Sequence, residues 1–159
     1  MRKGILLAAA MLVLMGSSMA FAQDKTPVLQ EVWAPSEINF GDLLKVYVRA
    51  TDPDGDMRWI VVSAGRGTQP AGATEIRLTK PYRAEVNGYL FWDSHKAASE
   101  NTSGMAWIAI EDWKGNESAT KSVAVKVVPK GAKEQKPPAG FKEVAIGPIV
   151  IENPQKMSP

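Results

Sequence analysis

Four aspartates in two turn-like segments are the residues of this chain best suited to bind a metal ion. Asp52, Asp54 and Asp56 alternate with a proline and a glycine, and such closely spaced carboxylates supply the oxygen ligands that Ca²⁺ prefers. A strand that ends at Asp112, or its neighbour Glu111, would complete a calcium site if it ran beside the strand that ends at Asp52. The competing interpretation, which we favour, is that the carboxylates accept hydrogen bonds within their own turns.

Tryptophans form a second group of candidate functional residues, and the chain has five of them. If Ile108 and Ile110 face a core, strand alternation places Trp107 on the outer face. Trp107 and Trp113 are therefore candidates for a ligand or partner surface, because exposed indole rings stack on sugars and anchor protein partners. The alternative is that one or two tryptophans fill the core and the others lie half-exposed at strand ends.

Side chains for catalysis are scarce. The chain has no cysteine and one histidine, His95, which excludes disulfides, thiol catalysis, thiolate metal sites and any site with two imidazoles. Asp93, Ser94 and His95 are the residue types of a hydrolytic triad, but a triad is assembled across space rather than along one tripeptide. We therefore predict a protein that is not an enzyme and requires no cofactor, with calcium as the candidate metal ion for the aspartates.

The elements that must position these residues are short β-type runs separated by turn residues. In residues 43–50, Leu44, Val46 and Val48 alternate with polar side chains, as in a half-buried strand. No stretch shows a sustained helical period. The other runs lie at residues 29–33, 59–62, 75–78, 89–92, 105–110 and 122–128. About seven short strands in roughly 100 residues is the pattern of a β-sandwich.

Two motifs resemble those of bacterial immunoglobulin-like domains of the cadherin-like and PKD-like kind. Residues 50–56, Ala-Thr-Asp-Pro-Asp-Gly-Asp, are similar to the end of a strand and the hairpin after it. Residues 108–118, with Asp112, Gly115 and Asn116, are similar to the penultimate strand and last turn. The resemblance spans about residues 28–128 and implies an all-β, single Greek-key sandwich of about seven strands. It implies no function, because this fold serves adhesion, binding and spacing alike.

The N-terminus has the pattern of a secretory signal peptide. Arg2 and Lys3 precede an apolar run at residues 5–15, and Ala20 and Ala22 stand at positions −3 and −1 of a predicted cleavage site. A bilayer span needs about 20 apolar residues, and this run is too short. We predict that residues 1–22 are removed, and that the mature protein is periplasmic or extracellular in a bacterium, with no membrane span.

The composition changes after the last predicted strand. Residues 129–159 carry six of the 11 prolines, and residues 129–140 read as a Lys/Pro/Gly/Ala linker. Residues 144–151 are apolar again around Gly147 and Pro148. Because proline lacks an N–H, this segment fits only an edge strand or a docked extended segment. We expect it to fold back onto its own sandwich rather than to join a partner's sheet.

These observations lead to two functional hypotheses. The first is an exported, non-enzymatic module, with a sandwich at residues 23–128 and a tail at residues 129–159, whose tail or aromatic face binds an envelope or extracellular protein. The second is a carbohydrate-binding module that uses exposed tryptophans and is stabilised by calcium. Nucleic acid is excluded as a partner: without Arg2 and Lys3 the 19 basic residues fall to 17, equal to the 17 acidic residues.

Overall fold

The computed structural model describes residues 24–66, 69–96 and 101–150, which form two β-sheets packed face to face. The predicted signal peptide at residues 1–22, the predicted mature N-terminus Gln23 and the end of the tail at residues 151–159 lie outside the described residues. Within the described ranges, no helix is long and apolar enough to cross a membrane.

Nine strands make up the two sheets in the part of the chain that the structure describes. They are β1 (Val28–Trp33), β2 (Glu37–Asn39), β3 (Leu43–Thr51), β4 (Met57–Arg66), β5 (Gln69–Arg77), β6 (Glu85–Asp93), β7 (Thr102–Asp112), β8 (Lys121–Val128) and β9 (Ala145–Pro148). One sheet has the order β1-β3-β6-β9 and the other the order β2-β8-β7-β4-β5. The predicted all-β, immunoglobulin-like sandwich is confirmed, and the strands beyond the predicted seven are the short β2 and β9.

Strand β3 shows how the alternating sequence builds the core. Leu44, Val46 and Val48 are at most 6% exposed, and β3 lies between β1 and β6 in antiparallel pairing. The facing sheet contributes the predicted partners Ile108, Ile110, Val123, Val125 and Val127. Tyr47 lies on the opposite face of β3 and is nevertheless only 3% exposed, because the C-terminal tail covers it.

The tail returns from β8 to the other sheet and ends as its edge strand. Strand β9 runs parallel to β6, with Tyr89 opposite Ala145 and Phe91 opposite Pro148. The Ile149 N–H donates to the Phe91 carbonyl at 2.8 Å, and the Ile149 side chain lies in the core. The segment therefore folds back onto its own sandwich, and its proline lies at a sheet edge.

Two glycines permit the close approach of β9. A Cβ atom at Gly88 would clash with the carbonyl oxygen of Val144, and one at Gly147 would lie 2.8 Å from the Ile76 side chain. Ile76 belongs to β5, the edge strand of the other sheet. The tail thus closes the gap between the edges of the two sheets at positions where only glycine fits.

Candidate functional site

The predicted acidic residues meet at one end of the sandwich, where Asp52 organises the turn between β3 and β4. The buried Asp52 carboxylate accepts hydrogen bonds from the backbone N–H groups of Asp54 and Asp56, each at 3.0 Å. Asp54 in turn accepts a hydrogen bond from the Lys25 N–H at 2.8 Å. Asp52 therefore acts as the cap of its own turn.

Asp112 has the same role in the turn after β7. Its carboxylate, which is fully buried, accepts hydrogen bonds from the N–H groups of Lys114 at 2.8 Å and Asn116 at 2.9 Å. The Asn116 side-chain amide donates a further bond to the same carboxylate at 2.8 Å. Within the described residues, no group of three or more acidic or histidine side chains is arranged to hold a metal ion. Calcium binding by these aspartates stays a prediction.

Asp56 differs from the other aspartates in its electrostatics. Burial raises its pKa, and so do the hydrogen bond and charge of Asp52 and the charge of Asp112. Its Oδ1 atom is buried and has no hydrogen-bond partner in the described part of the chain. Lys114 lies 3.8 Å from its Oδ2 and also pairs with Asp24. Asp56 is thus a carboxylate whose ionised form is poorly accommodated.

Trp113 lies at this end of the sandwich too, and three arginines surround it. It is 43% exposed, and the guanidinium carbons of Arg58, Arg83 and Arg77 lie 4.7, 5.4 and 5.9 Å from its ring centroid. Among the described residues, no carboxylate lies within 4.0 Å of these guanidinium groups. We call these four residues the arginine–Trp113 cluster.

The sequence alone did not reveal this cluster, because its members are far apart in the chain. Arg58 belongs to β4, Arg77 ends β5, and Arg83 follows the short 3₁₀ helix Lys80–Tyr82. A bulge frees Arg58: β4 residues on either side of it pair with consecutive residues of β7, and a bulge re-aims the extra side chain. Strand pairing places Arg77 opposite Trp59, the neighbour of Arg58. The Met57 N–H, which donates to the Arg83 carbonyl at 3.1 Å, holds Arg83 beside them.

Trp107 lies on the outer face of the five-stranded sheet, as alternation predicted. Its neighbours Ile108 and Ile110 are fully buried, and Trp107 pairs with Ser63 of β4 on one side and Ser122 of β8 on the other. The same face of β4 and β7 carries further half-buried apolar side chains. We use the term outer apolar face for Trp59, Val61, Met105 and Trp107.

The outer face of the four-stranded sheet is different, because the tail packs against it. Tyr47 is the centre of an aromatic group in which its ring centroid lies 5.7 Å from that of Trp33, 5.6 Å from that of Tyr89 and 5.6 Å from that of the tail residue Phe141. Phe141 also lies under the guanidinium of Arg49 at 5.8 Å. This aromatic group is therefore occupied by the chain's own tail.

Glu143 fixes the tail to this face electrostatically. It forms an ion pair with Lys45 at 2.8 Å and accepts a hydrogen bond from the Tyr47 hydroxyl. Lys45 first, and then Tyr47, lower the pKa of Glu143, whereas burial and Glu143 raise the pKa of Tyr47. The ionised carboxylate of Glu143 is the form that makes both contacts, since it pairs with the Lys45 ammonium group and accepts the Tyr47 hydrogen bond.

The segment predicted as a linker, residues 129–140, is also tied to the sandwich. The Ala132 N–H donates to the Asn39 side chain at 2.9 Å, and the Ser36 N–H donates to the Gln135 side chain at 3.1 Å. A groove of about 680 Å³ lies between this segment and the neighbouring strand ends, including Trp33 and Leu43. Sequence composition missed these contacts because Ala, Gln and Asn carry no strong packing signal.

Ser94 and His95 do not form a catalytic pair. The buried Ser94 hydroxyl accepts a hydrogen bond from the Gly41 N–H at 2.8 Å and donates to the Asn39 carbonyl at 3.3 Å. His95 Nδ1 lies 3.0 Å from Asp93 Oδ1. Ser94 thus anchors the loop between β2 and β3, which is a structural role.

Comparisons with known proteins give a fold likeness only. No protein-family model matches the chain, and no curated protein matches it. A PKD domain of an M14-like peptidase from a Thermoplasmatales archaeon is 21% identical, with a TM-score of 0.46 over 66% of this chain and 98% of that domain. A CARDB domain from Pyrococcus furiosus, solved in complex with di-metal ions, is 13% identical, with a TM-score of 0.38 over 66% of this chain and 91% of that one. Likenesses of this strength say nothing about function, and the immunoglobulin-like fold rests on the two sheets described above.

Proposed function

We propose that the chain is an exported, non-enzymatic binding module that holds another envelope or extracellular protein against its outer apolar face. The supporting observation is that Trp59, Val61, Met105 and Trp107 share one face of two adjacent strands and remain half-exposed. Indole and methionine side chains are enriched in the buried centres of protein interfaces. This face therefore has the composition of a contact surface.

The tail is the weaker of the two binding elements that the sequence offered. Residues 144–149 pair with β6 and supply Ile149 to the core, so partner binding by the tail would first require its release. Deletion of residues 129–159 would consequently change stability as well as binding. Point substitutions on the outer apolar face give a cleaner test of the proposal.

In the experiment, the purified protein is immobilised and used to capture proteins from the envelope and secreted fractions of the native bacterium. The wild type and a Leu43→Ser variant should capture the same protein, because Leu43 is an exposed apolar residue on β3, away from the five-stranded sheet. Trp107→Ala and Val61→Lys should lose that protein. Equal capture by the wild type and both variants, with unchanged melting temperatures, would contradict the proposal.

Glycan binding is the second candidate, and the surroundings of Trp107 favour it. Ser63 and Ser122 are the cross-strand neighbours of Trp107 on its two sides. An indole with serine neighbours can stack on a sugar while the hydroxyls hydrogen-bond to it. Polysaccharide pull-down with the wild type and with Trp107→Ala plus Trp113→Ala tests this candidate. Binding that survives both substitutions would remove its physical basis.

A further inference from the structure

We infer that the arginine–Trp113 cluster is a binding site for the carboxylate groups of an acidic protein segment. The inference rests on the proposed function, because it assigns the charge of the partner that the outer apolar face receives. The cluster has three guanidinium groups within 6 Å of one exposed indole ring.

The first argument is that no guanidinium group of the cluster is paired with a carboxylate in the described part of the chain. None of its arginines lies within ion-pair distance of a carboxylate, and the Nε–H groups of Arg58 and Arg83 have no acceptor there. The nearby aspartates do not pair with these arginines: Asp52 and Asp112 cap their turns, and Asp56 Oδ2 lies 3.8 Å from Lys114 Nζ. Guanidinium groups without a carboxylate partner keep N–H donors for charge-assisted hydrogen bonds to an external anion.

The second argument is geometric. The indole ring attracts the cations through its π-face, which holds the three side chains at one place without an acidic partner. Guanidinium groups present planar sets of N–H donors that match a carboxylate in bidentate fashion. Three cations around one ring favour a charged ligand over a neutral sugar.

The third argument identifies a protein segment as the source of the carboxylates. Arg58 lies 5.2 Å from the ring of Trp59 and 4.7 Å from that of Trp113, so the cluster is continuous with the outer apolar face. A ligand that covers both must present carboxylates beside apolar side chains. Protein surfaces combine these groups, whereas an anionic polysaccharide offers the carboxylates without them.

The test measures binding of a fluorescent peptide with alternating Glu/Asp and Leu/Phe residues, by anisotropy at low salt. The double variant Arg77→Gln/Arg83→Gln should bind roughly tenfold more weakly than the wild type, a factor typical of lost charged contacts. The control Lys121→Gln/Lys130→Gln removes the same charge from exposed positions outside the cluster and should bind as the wild type does. Added salt should weaken wild-type binding, because ions screen exposed charges.

Several results would overturn the inference. These are no binding of the peptide, equal binding by both double variants, or equal binding of a matched peptide with Gln and Asn in place of its acids. Binding of polygalacturonate without binding of the peptide would mean that the ligand of the cluster is an acidic polysaccharide and not a protein segment. If the glutamine variant fails to fold, Arg77→Lys/Arg83→Lys keeps the charge and should still lose affinity with the bidentate contact. Loss of peptide binding in Arg77→Gln/Arg83→Gln, together with protein capture unaffected by Trp107→Ala, would support the cluster and contradict the apolar face.

Discussion

Two short acidic motifs have a clear structural role at the scale of single residues. Asp52 and Asp112 each accept hydrogen bonds from N–H groups two and four residues later. Leaving a buried N–H group without an acceptor costs about 1–3 kcal/mol, and these partly buried N–H groups would incur part of that cost. The aspartates in the two motifs that resemble immunoglobulin-like domains therefore stabilise the turns in which they lie.

Asp56→Asn is expected to raise the melting temperature near neutral pH and to lose this advantage in acid. Burial, Asp52 and Asp112 raise the pKa of Asp56 above its ordinary value of 3.8, so the folded state binds the proton more tightly than the unfolded state does. The stabilising contribution of the carboxyl group is then fully present below pH 3.8 and is lost as the pH rises through the raised pKa. Thermal melts of the wild type and the variant across this range, in a chelating buffer, measure the effect.

Asp54→Asn is the matched control for this experiment. The substitution makes the same chemical change in the same turn, but at an exposed residue. The prediction would be contradicted if the difference in melting temperature between Asp56→Asn and the wild type stayed constant with pH. The wild-type melt in millimolar calcium tests the metal hypothesis at the same turn. A rise in melting temperature that disappears in Asp54→Asn/Asp56→Asn would show calcium binding, since a ligand of the folded state stabilises it.

Val46→Asp and Lys45→Asp are expected to have very different effects on stability. Val46 is fully buried, so the substitution loses about 1.5–3 kcal/mol of burial and adds a buried charge, which should unfold the domain. Lys45 is partly exposed and pairs with Glu143, so its replacement should cost about 1 kcal/mol or less and loosen the tail. Circular dichroism melts compare the two, and similar melting temperatures would mean that the strand register is wrong by one residue.

At the scale of elements, the tail strand β9 protects the edge of the four-stranded sheet. An exposed edge strand of apolar residues invites pairing with other chains, and β9 occupies the edge beside β6. Its own outer edge is interrupted by Pro148, which has no N–H to offer. The tail therefore acts as part of the fold and not as a free appendage.

Gly88→Ala is expected to detach β9 from β6, because the new methyl group would clash with the Val144 carbonyl. Amide hydrogen exchange followed by NMR measures the effect at Ile149, whose N–H donates to Phe91 in the intact sheet. That amide should be protected in the wild type and should exchange at least about tenfold faster in the variant, as locally opened amides do.

Gly72→Ala serves as the control, because a Cβ atom there would meet nothing within 4 Å. This variant should keep the protection of Ile149. Fast exchange of Ile149 in the wild type itself would contradict the docked tail and would restore the alternative of a free segment that joins a partner's sheet.

At the scale of the whole molecule, the two outer faces of the sandwich differ. The tail residues Phe141 and Glu143 cover the aromatic residues on one sheet, whereas the other sheet keeps Trp59 and Trp107 half-exposed. The arginine–Trp113 cluster lies at the end of that second sheet. This asymmetry is the reason that we propose the second face, and not the face covered by the tail, as the partner surface.

Signal-peptide cleavage is the prediction that concerns the whole chain. Expression of residues 1–159 in a bacterial host should give a periplasmic or secreted protein that begins at Gln23, because Ala20 and Ala22 fit the positions before the cleavage site. Intact-mass measurement of the purified protein reports the cleavage. A cytoplasmic protein that retains residues 1–22 would contradict it, and Ala22→Arg, which should block cleavage, is the control.

The sequence by itself determined the fold class, the core face of β3 and the outer position of Trp107. These follow from the period-two alternation of residues such as Val46 and Ile108, because a strand has one side chain per face at every second position. It also predicted that the two aspartate turns would cap themselves and that the tail would return to its own sandwich. The strand faces and the capped turns are local properties, whereas the return of the tail was expected from its apolar composition alone.

Only the tertiary structure decided which distant residues meet. Arg58 and Arg77 come together through the pairing of β4 with β5 and through the bulge opposite β7. Arg83 joins them through the hydrogen bond from the Met57 N–H to its carbonyl. The spacing of these arginines along the chain does not predict this arrangement. The parallel pairing of β9, the coverage of Tyr47 by Phe141 and the ion pair of Lys45 with Glu143 depend likewise on the path of the tail. The alternation of apolar and polar residues indicates which face of a strand a residue occupies. Its neighbour on the next strand depends on register and strand order, which the sequence pattern does not give.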